Sequence, residues 1–119
     1  MSRVLALVPD LLFGSKVQAM LEAAGHDVEL AQSETDVWDQ IAGTDVLVVD
    51  LTTDDIDGAI LLDTLRSGGE IHAGFRALAF YSHVDVDVRR RAEEAGFDLV
   101  VPRSRMAREG AALVQSLAS

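Results

Sequence analysis

A single carboxylate, Asp50, stands at the end of the most apolar stretch of the chain. Residues 46–49 read Val-Leu-Val-Val, which is typical of a strand that is buried on both faces of a parallel sheet. In open α/β sheets, ligands bind at the carboxyl ends of the strands. Asp50 is therefore predicted either to be a reactive group or to cap the loop that follows the strand.

Other possible ligands lie nearby, but their spacing gives no recognisable metal site. Asp54, Asp55 and Asp57 lack the EF-hand pattern, so we interpret them as solvated loop carboxylates. His83 is a single imidazole, which is too little for a transition-metal site even beside two aspartates. The chain has no cysteine, and this excludes a thiolate metal site and a disulfide scaffold.

Five strand-like segments alternate with five helical ones. The predicted strands cover residues 3–8, 27–31, 45–50, 77–81 and 97–101. Ser33, Asp85 and Ser104 are predicted N-caps of the second, fourth and fifth helices, and Trp38 is expected to pack inward from the second. Strict alternation of this kind predicts a single α/β domain over residues 1–119, with a parallel sheet covered by helices on both faces.

The charge of the chain excludes some partners. The net charge is −10, which argues against general nucleic-acid binding. Residues 1–70 carry 14 acidic and 3 basic side chains, whereas residues 71–119 carry 6 and 7. No stretch approaches the roughly 20 apolar residues of a membrane span, and the first residues do not resemble a signal peptide. We therefore expect a cytoplasmic protein with no membrane or nucleic-acid partner.

Two short motifs point to a known family. The run Val46–Asp50 is followed by Asp57-Gly58, and Ala95-Gly96-Phe97-Asp98 precedes the last predicted strand. Together with the five βα units, these motifs resemble the receiver domain of bacterial two-component response regulators along the whole chain. The resemblance implies a flavodoxin-like, doubly wound (βα)5 fold with strand order 2-1-3-4-5. It also implies a signalling domain rather than an enzyme, with a histidine kinase or another signalling protein as its partner.

The resemblance assigns roles to three residues. Asp50 falls on the phosphoacceptor position and Ser82 on the switch hydroxyl. Arg103 falls where the family has a lysine that contacts the phosphoryl group. Since an arginine prefers bidentate carboxylate geometry, we expect a standing ion pair between Arg103 and Asp50.

The metal site of the family is altered in this chain. The acidic pair that holds Mg²⁺ in a typical receiver falls on Val8 and Pro9, and neither offers the oxygen ligands that Mg²⁺ requires. Asp10 lies one residue further on, so Asp10 and Asp50 are the remaining candidate ligands. His83 replaces the small residue that usually follows the switch hydroxyl, and it is expected either to obstruct the phosphoryl group or to pair with Asp50.

Arginine is concentrated in the last third of the chain. In the receiver family, the face formed by the fourth helix, fifth strand and fifth helix often makes a two-fold dimer, and the resemblance implies a homodimer here. The alternative is a solvated helix face whose exposed ion pairs contribute little energy. The candidate interface residues are Arg89, Arg90, Arg105 and Arg108.

Three functions are consistent with these observations. The first is a stand-alone, atypical response-regulator domain, without an output domain, that is phosphorylated on Asp50 and acts through protein contact. The second is a phosphorylation-independent pseudo-receiver that serves as a binding or dimerisation module. A flavin-binding protein is a distant third, because residues 9–13 lack a Gly-rich phosphate loop.

Overall fold

Five parallel strands form the central sheet of the protein. The structure is a computed structural model that describes residues 2–82 and 84–118. Its strand order, β2-β1-β3-β4-β5, is the predicted flavodoxin-like order. The strands are β1 (Arg3–Leu7), β2 (Asp27–Ala31), β3 (Val46–Asp50), β4 (Arg76–Tyr81) and β5 (Leu99–Pro102).

A helix follows each strand. The helices are α1 (Leu11–Ala23), α2 (Glu34–Gln40), α3 (Gly58–Gly68), α4 (Val86–Ala95) and α5 (Arg103–Ala118). Two hydrophobic clusters separate them into layers, with α1 and α5 on one face of the sheet and α2, α3 and α4 on the other. None of the helices within the described ranges is both long and apolar enough to cross a membrane.

The strand β3 is buried along its whole length, as its apolar run predicts. Side chains alternate between the two faces of a strand. Val46 and Val48 belong to the cluster under α1 and α5, while Leu47 and Val49 belong to the cluster under α2, α3 and α4. Residues 46–49 must be hydrophobic because each packs into one of these two clusters. Asp50, the last residue of the strand, is the first one that belongs to neither.

Local hydrogen bonds confirm two predicted helix starts and correct a third. The Oγ of Ser33 accepts a hydrogen bond from the N–H of Asp36, and the carboxylate of Asp85 accepts one from the N–H of Val88. The prediction that Ser104 caps α5 is wrong, because the helix already begins at Arg103. Pro102 is the last residue of the strand, and its ring fixes its φ near the value found in helices. The helix can therefore begin at the next residue.

Trp38 does not pack inward. Its side chain is 40% exposed, whereas Val37 and Ile41 are buried. These two residues are four apart and lie on the same helical face. Successive residues of a helix are turned by about 100° around its axis, so Trp38 lies to the side of the face that Val37 and Ile41 share. The helix has only two turns.

Candidate functional site

Asp50 lies at the centre of the carboxyl edge of the sheet. It is the last residue of β3, a strand flanked by β1 and β4, and it pairs in register with Phe80. The residue is only 3% exposed. The buried strand therefore presents one carboxylate at the position where an open α/β sheet binds its ligand.

The two oxygens of Asp50 have different surroundings. Oδ1 accepts a hydrogen bond of 2.7 Å from the backbone N–H of Thr52 and one of 2.6 Å from the Thr52 hydroxyl. The loop-capping role predicted from the sequence is therefore present. Oδ2 has no hydrogen-bond partner among residues 2–82 and 84–118. One oxygen is held in place while the other remains available to a ligand.

An open cleft of about 710 Å³ lies over Asp50. The residues that surround it come from the loops and helix starts after four strands, because the carboxyl ends of parallel strands meet at the same edge. Two carboxylates and two cations face each other in the cleft, so its side chains sum to no net charge. The lining residues are Asp10, Phe13, Lys16, Asp50, Thr52, Ser82, Arg103, Ser104 and Ala107.

Arg103 does not pair with Asp50, so the predicted ion pair is wrong. The guanidinium lies 4.1 Å from the centre of the Phe13 ring, and its Nη2 is 3.8 Å from Oδ2 of Asp10. Phe13 itself packs edge-on against Phe80, with the ring centres 5.3 Å apart. An arginine is attracted to the face of an aromatic ring, and this ring holds Arg103 at the wall of the cleft, beside Asp10.

The described residues do not fit a receiver-type Mg²⁺ site. Val8, which the resemblance places at one position of the acidic pair, is fully buried in the core. Asp10 uses Oδ1 to cap α1, accepting hydrogen bonds from Leu12 at 3.0 Å and Phe13 at 3.2 Å, and its Oδ2 faces Arg103. No group of three or more histidine, cysteine, aspartate or glutamate side chains in the described ranges is placed to hold a metal. A metal bound to Oδ2 of Asp10 would compete with the guanidinium of Arg103, and one bound to Oδ1 would compete with the cap of α1.

Comparison with known proteins gives a consistent answer about the fold. Neither a protein-family model nor a curated protein sequence matches the chain. The receiver domain of the Francisella response regulator 1452 has a TM-score of 0.84 at 19% identity, covering 99% of this chain and 97% of that one. Chemotaxis response regulator CheY4 of Vibrio cholerae has a TM-score of 0.84 at 17% identity, covering 98% of each chain.

A response regulator from Thermotoga maritima is similar at a TM-score of 0.83 and 16% identity, covering 99% of this chain and 98% of that one. The chain has the receiver fold. Identities this low establish the fold alone. Within that fold, Asp50 is at the end of the third strand, as the sequence predicts.

Ser82 and Lys16 complete the cleft of this receiver fold. Ser82 follows β4 and is exposed at the cleft, where its backbone carbonyl accepts a hydrogen bond from Asp85 at 2.9 Å. Lys16 is the only lysine of the chain, and sequence reasoning overlooked it. The signal is its spacing, since Lys16 lies one helical turn after Phe13 on the same face of α1. The predicted roles of His83 fall outside the described residues.

The arginines of the predicted dimer interface have partners on their own helices. Arg89 and Arg90 on α4 lie 3.6 Å from Glu93 and 3.3 Å from Asp87. On α5, Glu109 receives Arg105 at 3.4 Å and Arg108 at 3.7 Å. Roughly half or more of each arginine side chain is exposed, and exposed pairs of this type add little stability. The homodimer stays a prediction.

Proposed function

We propose that the chain is a receiver-type signalling domain of a phosphorelay and that Asp50 is its phosphoacceptor. One observation carries the proposal. Asp50 ends the central strand and lines an open cleft of about 710 Å³ over the carboxyl edge of the sheet, with Oδ1 fixed by Thr52 and no partner for Oδ2 among the described residues. A buried carboxylate with one oriented and one available oxygen is suited to accept a transferred group.

The chemistry of such a transfer depends mainly on position and charge. A phosphoryl group passes between oxygen or nitrogen atoms with little covalent participation by the protein, so alignment and electrostatic stabilisation dominate. Thr52 limits the rotation of the Asp50 carboxylate, and the strand below it is rigidly packed on both faces. Ser82 stands beside the same cleft as a hydroxyl donor.

The surface around the cleft supports contact with a protein partner. Six large apolar side chains are exposed among the described residues. One is Trp38, and the other five lie at the starts of α1, α3 and α4 or in the loop before α4. These three helix starts and this loop lie at the edge of the sheet where Asp50 is found. Exposed apolar patches often mark interaction sites. The five residues are Leu11, Leu12, Ile60, Val84 and Val86.

These five residues, which we term the apolar rim, define the partner we propose. The partner brings a phosphohistidine to Asp50, as a histidine kinase or a related phosphotransfer protein does, and contacts the apolar rim while the phosphoryl group is transferred. The proposal includes a cytoplasmic location and no enzymatic turnover by the chain itself. The signal then passes onward by protein contact.

A phosphorylation-independent pseudo-receiver is the second candidate. It is favoured by the replacement of the acidic pair by Val8 and Pro9, together with the engagement of Asp10 by Arg103. In that case, the apolar rim would bind a partner whatever the state of Asp50. The two candidates differ in one observable, which is an acyl phosphate on Asp50.

The test is phosphorylation by phosphoramidate, a small donor with a P–N bond. The wild type should gain one phosphoryl group in intact-mass spectra, and Asp50→Asn should gain none. Asp55→Asn is the matched control, because it removes a carboxylate from the loop that follows without touching the cleft. Equal labelling of wild type and Asp50→Asn, or no labelling of the wild type, would overturn the proposal in favour of the pseudo-receiver.

A further inference from the structure

We infer that Lys16 supplies the positive charge that stabilises the phosphoryl group during its transfer to Asp50, so that the transfer does not require Mg²⁺. This inference rests on the proposed function of Asp50. It assigns a role to a residue of α1 that belongs to no recognised motif of the sequence. The cleft holds charged side chains, and some of them are already engaged with one another.

Transfer of a phosphoryl group to Asp50 needs a nearby cation. The transferred group carries negative charge on its oxygens, and it would enter a cleft that already holds the carboxylates of Asp10 and Asp50. Phosphoryl transfer requires this charge to be compensated. Since the described residues do not fit a Mg²⁺ site, the compensating charge has to come from the side chains that line the cleft.

The two cations of the cleft, Arg103 and Lys16, differ in how far they are already engaged. Arg103 is held against the ring of Phe13 and shares its charge with Asp10. Lys16 lines the same cleft with an exposed side chain, and it forms no ion pair with any residue in the described part of the chain. Its ammonium group has three donors on a flexible stem. Contact with an incoming phosphoryl oxygen would therefore cost Lys16 no ion pair within the described ranges.

The transfer itself balances without a metal. Oδ2 of Asp50 attacks the phosphorus atom of an N-phosphoryl donor such as phosphohistidine. A P–O bond forms while the P–N bond breaks, and the electron pair of that bond leaves with the nitrogen, which takes a proton from solvent. The ammonium of Lys16 donates hydrogen bonds to the phosphoryl oxygens throughout and neither gains nor loses a proton. Arg103 adds a second, more distant positive charge.

The experiment measures the rate of Asp50 labelling by phosphoramidate in excess chelator and in excess Mg²⁺. We expect the wild type to be labelled at similar rates in both buffers. In chelator, Lys16→Ala should be slower by about 100-fold, a loss of the order seen when one donor to a developing charge is removed, and Lys16→Arg should recover most of the rate. Arg105→Ala is the matched control, because it removes a cation from α5 outside the cleft.

The outcomes separate this inference from the proposed function. If the wild type is labelled on Asp50 only in Mg²⁺, and Lys16→Ala matches it, Asp50 is a phosphoacceptor but the role of Lys16 is wrong. If neither buffer gives labelling, the proposed function fails and the inference fails with it. Thermal melts of each variant verify folding, and Lys16→Gln provides a second neutral variant with a similar stem length. A slow rate in both neutral variants, with unchanged melts, supports the role of Lys16.

Discussion

Arg103 lies beside Asp10 rather than beside Asp50, with 3.8 Å between Nη2 of the arginine and Oδ2 of the aspartate. Asp10 at the same time caps α1 through its other oxygen. Asp10 therefore joins the start of the first helix to the start of the fifth across the cleft. The consequence is that the carboxylate of Asp50 pairs with no arginine or lysine of residues 2–82 and 84–118.

The dual role of Asp10 can be separated by two substitutions. Asp10→Asn keeps an oxygen that caps α1 but removes the charge that faces Arg103, and because that exposed pair contributes little, we expect the free energy of unfolding to change by less than about 0.5 kcal/mol. Asp10→Ala removes the cap as well and should cost about 1 kcal/mol. Urea denaturation measures both. Equal losses in the two variants would show that the cap is not what Asp10 contributes.

Asp57 makes the stability of the fold sensitive to acid. Its carboxylate accepts a hydrogen bond from the N–H of Ile60 and pairs with Arg91 at 2.9 Å, and these contacts, the first above all, lower its pKa below the usual 3.8. A carboxylate whose pKa is lower in the folded than in the unfolded protein stabilises the fold at pH values above its pKa in the unfolded protein. This contribution is lost as the pH falls through its pKa in the folded protein.

We therefore expect Asp57→Asn, which still caps α3, to be less stable than the wild type at neutral pH. The difference should shrink as the pH falls below about 4, because the wild type then loses the same charge. Melting temperatures between neutral pH and pH 3 measure this. Asp55→Asn is the control, since Asp55 forms no ion pair in the described ranges. A constant difference at all pH values would contradict the assignment.

Two glycines differ in backbone conformation while both leave open space for a Cβ, so together they isolate the cost of backbone strain. Gly25 has a φ of +95°, and no atom lies within 4 Å of a Cβ built on it. Gly25→Ala should therefore destabilise the protein by about 1 kcal/mol through its left-handed backbone alone. Gly68, at the end of α3, also has open space but no positive φ. Gly68→Ala should be neutral or stabilising by up to about 1 kcal/mol. Chemical denaturation distinguishes the signs, and losses of equal size in both would contradict the explanation.

The predicted dimer can be tested through α5. Arg105→Glu places a like charge four residues from Glu109 and reverses the sign of the face on which the dimer depends. If the dimer forms through this face, the mass from light scattering should fall toward that of a monomer at the same protein concentration. Lys16→Ala, which changes a charge on α1 instead, should leave the mass unchanged. A mass that is the same for wild type and Arg105→Glu would exclude this face.

The elements that depend on local pattern were predictable from the sequence. The apolar run of β3 places Asp50, and Ser33 and Asp85 are N-caps whose side chains bond within three residues. The partner of Arg103 was not predictable. Its position depends on the ring of Phe13, and that ring depends on Phe80, which is far away in the sequence.

Lys16 was overlooked for a similar reason. Helical spacing places it on the face of Phe13, but only the folded chain shows that this face borders the cleft over Asp50. A lone lysine on an amphipathic helix is ordinarily read as a solvated residue. The resemblance places the family's acidic pair on Val8 and Pro9, and this placement stays a prediction; the sequence alone offers no replacement for the charge of that pair.

The most direct test of the central claim is the chemical mapping of the phosphoryl group. Protein treated with phosphoramidate is reduced with borohydride, which converts an aspartyl phosphate to homoserine, and the digested peptides are sequenced by mass spectrometry. The account predicts homoserine at position 50 in the wild type and none in the peptides of Asp50→Asn. Unmodified aspartate at position 50, with or without modification elsewhere, would contradict it and leave a domain that signals by contact alone.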